Sequence, residues 1–62
     1  MIGNNVRVIR TGDLVAVQGE LRELRQEGVT VYRNAGPPET QGALFLPMHT
    51  VVEIVDLGRS YL

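Results

Sequence analysis

The stretch "ALFLPMHTVVEIVD", residues 43–56, decides how this chain is read. It holds two apolar runs, Ala43–Pro47 and Thr50–Asp56, rich in the β-branched and aromatic side chains that suit strands. Between them stand Pro47, Met48 and His49, the last being the only histidine in the chain. Proline has no N–H to offer a ladder, so the first run ends there. Two readings of the junction stand side by side. One is a tight turn, with His49 bonded to backbone and Met48 filling a gap at an interface. The other is a binding loop carried between two strands.

Working outward, "NVRVIR" (5–10) alternates Val6, Arg7 and Val8, which is the period of a half-buried strand, and Thr11-Gly12-Asp13 closes it. "DLVAVQGELREL" (13–24) reads as one long strand with Val15, Val17, Gly19 and Leu21 on one face. A glycine within such a pattern suggests a bend or bulge at Gly19. A helix over 19–28 competes, since Glu20, Arg22, Glu23 and Arg25 are good helix formers. Only Leu21 and Leu24 support its apolar face, so strand is preferred. "EGVTVYR" (27–33) returns as a strand, with Gly28 where a hairpin turn asks for positive φ. "NAGPPETQG" (34–42) is a loop, because Gly36, Pro37 and Pro38 stop any ladder. "LGRSYL" (57–62) reads as a frayed tail. The expected architecture is all-β, five strands closed or nearly closed into a small bent barrel.

The totals constrain the rest. Sixty-two residues make a single domain, 1–62. A chain this short buries only roughly 60% of its unfolded surface and usually needs a staple. No cysteine is present, which excludes disulfides and thiolate metal sites, and one histidine without a Cys/His cluster argues against structural zinc. No metal or other cofactor is expected. The remaining staple is another copy of the chain. The formal net charge of −1 gives no bulk pull toward polyanions, although all six basic residues are arginine. No apolar stretch approaches the ~20 residues of a membrane span, and "MIGNNVRV" lacks a signal-peptide pattern, so the expected location is the cytoplasm.

The order of these features resembles the Sm-like family, which includes bacterial Hfq and the Lsm proteins. The first Sm motif would be 6–32, followed by a variable loop, 33–42. The second motif would be 43–56, with a tail over 57–62, and the two motifs span 41 of the 62 residues. Gly19-Glu20-Leu21 resembles the family's bent second strand, and His49 matches the histidine of the Hfq turn. Leu24-Arg25-Gln26-Glu27-Gly28 replaces the first motif's Asp-x-x-x-Asn turn, and no lysine precedes His49. The resemblance implies a homo-oligomeric ring of roughly five to seven copies, closed by fourth-strand to fifth-strand pairing. Leu44, Phe45, Leu46, Val51, Val52 and Ile54 would form the interface.

The resemblance also implies that Arg25-Gln26-Glu27-Gly28 and Pro47-Met48-His49-Thr50 line a central pore. Single-stranded RNA is the expected partner, with Arg25, Gln26, Met48, His49 and Thr50 as contacts. Histidine and arginine planes stack on unpaired bases, and an amide reads a base edge. Glu27 works against a polyanion at the same place. An enzyme is not expected, because nothing sets Glu20, Glu23 or His49 against a partner in a catalytic arrangement. Two alternatives remain: an assembly module on the same barrel without nucleic acid, docking through loop 34–42, and an SH3-like monomeric adaptor.

Overall fold

The computed structural model describes residues 1–34 and 36–59. Five strands form: β1 (Asn4–Arg10), β2 (Val17–Leu24), β3 (Gly28–Arg33), β4 (Gly42–Pro47) and β5 (Val51–Arg59). Single 3-10 turns occupy Pro38–Thr40 and Met48–Thr50. Among the described residues there is no α-helix, so the helical reading of 19–28 is set aside. The strands make one antiparallel sheet in the order β4-β3-β2-β1-β5.

Alternation dictates which side chains go inward. Val6 and Val8 of β1, Val17 and Leu21 of β2, Val29 and Val31 of β3 and Leu46 of β4 form a single buried cluster. Met48, Val51 and Ile54 pack against it. A flat sheet cannot enclose such a cluster, and no second layer covers it among the described residues. The sheet therefore curls around its own face. Its smallest dimension, 17 Å, agrees, since a flat sheet is about 10 Å thick with its side chains. The result is an all-β, barrel-like fold whose two outer strands, β4 and β5, each pair on one side only.

Four local expectations are corrected. β2 begins at Val17, not Asp13, and Val15 is exposed. Arg10 Nε holds the Asp13 carboxylate at 2.6 Å and Gly12 takes φ +83°, so the chain turns there. The β-bulge in β2 lies between Leu21 and Glu23, while the ladder to β1 runs unbroken through Gly19. Glycine is needed at position 19 because an added Cβ would sit 2.5 Å from the Tyr32 carbonyl oxygen. Gly28 does not take positive φ. It lies within β3 opposite Pro47, where a Cβ would meet the Leu46 carbonyl oxygen at 2.5 Å. Finally, Leu57-Gly58-Arg59 is not frayed but extends β5, with Arg59 paired to Asn4. The rest of the expected tail, 60–62, lies outside the described residues.

That last extension is held by Asp56. The Gly58 backbone N–H donates to its carboxylate at 2.8 Å, and Asn4 Nδ2 donates to both its oxygens at 3.1 Å. These two interactions, the Gly58 bond first, hold the Asp56 carboxyl below its ordinary value. A lowered folded-state pKa stabilises the native chain above the unfolded value of about 3.9, and that contribution disappears as pH falls through the folded value. Urea midpoints of the wild type and Asp56→Asn should therefore differ near neutrality and draw together as pH falls below the ordinary carboxylate value. A gap that persists unchanged to pH 2 would contradict this role.

Candidate functional site

The structure brings the two expected turns together at one end of the sheet. Arg25 N–H donates to the Gly28 carbonyl at 3.0 Å, closing the β2–β3 turn. Pro47 ends β4, having no N–H for the ladder, and opens the 3-10 turn Met48–Thr50. Met48 N–H then donates to the Glu27 carbonyl at 2.9 Å, clasping one turn to the other. Thr50 Oγ1 donates to the Pro47 carbonyl at 2.7 Å, and Thr11 N–H donates to the Thr50 carbonyl at 2.9 Å. The backbone of this corner is thus tied from three directions.

The side chains there divide. His49, Gln26, Glu27 and Arg25 are exposed. Arg25 is not a free cation, because its guanidinium sits 2.6 Å from the Glu23 carboxylate. Both groups are about half exposed, so the pair is screened and worth at most ~1 kcal/mol. Met48 packs against the core, leaving His49 as the exposed residue of its turn. The Thr50 hydroxyl spends its proton on its own turn and keeps lone pairs to accept with.

The six expected interface residues also divide. Leu46 is wholly buried in the core of the single chain, and Val51 and Ile54 pack against that core. Leu44, Phe45 and Val52 are exposed, the last by 67%. The Phe45 ring reaches over Gly28, filling the space a side chain would take. β4 and β5 thus present open backbone edges carrying four large exposed apolar side chains, Leu44, Phe45, Val52 and Leu57.

Two features were not expected from the sequence. On β2 and β3, Arg22 binds Glu20 and lies over the Tyr32 ring, 4.5 Å from its centroid. Stacking of this kind at an exposed site contributes about 0.5–1 kcal/mol. Glu20 and Arg22 lie two apart in one strand, so this ion pair runs along β2. The second feature is an open groove of about 390 Å³ at the other end of the β2–β3 hairpin. Gly19 forms part of its lining, Val15 and Ala16 stand at one side, and Arg33, Asn34 and Gly36 at another. The signal for it was present: Arg33 shares the inward parity of Val29 and Val31, which is an unusual place for a cation.

Among the described residues, no group of three His, Cys, Asp or Glu is placed to hold a metal ion. No helix is long and apolar enough to cross a membrane. No protein-family model, curated protein or solved structure matches this chain.

Proposed function

We propose that copies of this chain close into an Sm-like ring that binds single-stranded RNA, as a scaffold or chaperone in the cytoplasm. The observation that carries this reading is the clasp between Glu27 and Met48, with Gly28 opposite Pro47. It sets Arg25, Gln26 and His49 on one exposed corner of each subunit. The open edges give the reason to assemble. Unpaired strand edges invite pairing with another chain, and β4 of one copy against β5 of the next would satisfy both. Leu44, Phe45 and Val52 would then leave water. Repeating a weak corner around a ring multiplies its affinity for a flexible strand.

Native mass spectrometry tests the ring, and a single 6.8 kDa species would end that part of the reading. Fluorescence anisotropy with short oligo(U) and oligo(A) at moderate salt tests the RNA part. Binding is expected at micromolar protein, and His49→Ala should weaken it about tenfold, the loss of one stacking contact. Unchanged anisotropy for every homopolymer would rule out direct RNA binding.

A second reading, an assembly module without nucleic acid, is favoured by two observations. Glu27 is an exposed carboxylate on the same corner, and the Arg25 charge is already answered by Glu23. A purified ring that carries no nucleic acid and ignores all oligonucleotides would favour it.

A further inference from the structure

We infer that the groove around Arg33 receives the free C-terminal carboxylate of a short peptide. It lies at the opposite end of the β2–β3 hairpin from His49. Gly19 and Arg25 are six positions apart along β2 and its turn, or about 20 Å. The groove is therefore separate from the corner proposed for RNA.

The first argument is charge. Arg10, Arg22 and Arg25 each have a carboxylate partner. Arg7, Arg33 and Arg59 have none among the described residues, and of these three only Arg33 is half-buried. Among the described residues, no acidic side chain lines the groove. A cation held at the mouth of a rolled sheet, in a chain of net charge −1, is an anchor for an anion. The planar fork of a guanidinium pairs with both oxygens of a carboxylate.

The second argument is the hydrogen-bonding inventory. Asn5, Gln18 and Asn34 ring the same groove, and none makes a side-chain hydrogen bond among the described residues. Each carboxamide offers both donors and an acceptor, which is the complement of a peptide backbone. Val15, 79% exposed, and Ala16 supply an apolar wall for an aliphatic last side chain. Gly19 lets the Tyr32 carbonyl and Arg33 Cγ come close to its backbone, which brings the Arg33 side chain against β2. The size is at the small end for ligand sites and suits two or three residues. Among the described residues, no aromatic side chain lines the groove to stack on an unpaired base. That favours a peptide end over a nucleotide.

The test is a ¹⁵N–¹H NMR titration of the wild-type protein with acetyl-Gly-Ala-Val as the free acid and as the C-terminal amide. The acid should shift the backbone amides of Gly19, Arg33 and Asn34, and the amide should bind at least tenfold more weakly. Arg33→Gln should lose about tenfold in affinity for the acid, the worth of one charge-assisted hydrogen bond. His49→Ala should leave peptide binding unchanged, which separates this site from the RNA corner. The inference is overturned if the acid moves no groove amide at millimolar concentration, or if acid and amide bind equally. It is also overturned if uridine monophosphate moves the same amides more tightly than the acid. The acid-versus-amide comparison needs no variant, so it decides the matter even if Arg33→Gln fails to fold.

Discussion

Alanine at Gly28 is expected to remove a large share of the protein's stability. The added methyl would stand 2.5 Å from the Leu46 carbonyl oxygen and 2.5 Å from Phe45 Cζ. The ring can swing away, because Cζ is the far end of a side chain. The carbonyl cannot, because it belongs to β4, which lies against β3 in the ladder. Relieving the clash means parting the two strands where they are also clasped by Glu27 and Met48. Overpacking of this kind costs about 1–3 kcal/mol, and broken ladder bonds add to it. A chain of 62 residues has a total stability of only about 3–9 kcal/mol. Gly12→Ala is the control. Gly12 takes φ +83°, but a methyl there meets nothing within 4 Å, so its cost is backbone strain alone, about 1–2 kcal/mol. Urea titrations followed by circular dichroism separate the two. A Gly28→Ala midpoint at or above that of Gly12→Ala would contradict the close approach of β4 to β3.

The second large effect is expected at Leu21. It is wholly buried where β2 crosses the middle of the only core cluster among the described residues. Leu21→Ala removes the transfer energy of the side chain and leaves a cavity, together about 2–5 kcal/mol. In a core of seven buried residues there is little else to collapse into the gap. Leu44→Ala is the contrast, since Leu44 is 36% exposed on the β4 edge and should cost the single chain less than about 1 kcal/mol. If copies assemble through that edge, both the wild-type midpoint and the effect of Leu44→Ala will depend on protein concentration. Equal losses for Leu21→Ala and Leu44→Ala at low concentration would mean that the sheet does not enclose a core.

Much of the fold was legible because alternation is a local property. Val6 and Val8, Val29 and Val31, and Val17 and Leu21 declare their inward face through a period of two, which needs no knowledge of neighbours. Pro47 announces the end of β4 through its missing N–H, and the strand survives over 19–24 despite good helix formers because its inward parity is apolar. That the β2–β3 and β4–β5 turns belong together is implied by the family resemblance and not by the residues themselves; the Met48–Glu27 backbone bond is what joins them in the fold.

What sequence alone determined about this protein is thus the number of strands and most of their inward residues. Tertiary structure alone decided the rest. Gly28 reads as a turn glycine, yet it is required by a carbonyl 18 positions further along the chain. Met48 reads as a pore residue, but the core claims its side chain. Residues 57–59 look like a tail until Asn4 is placed beside Arg59. The groove joins side chains from β1, β2, β3 and the following loop, which no single stretch displays. The reason is physical: a period belongs to one strand, whereas a close approach, a lost solvent face or an unanswered charge exists only between strands that have already met.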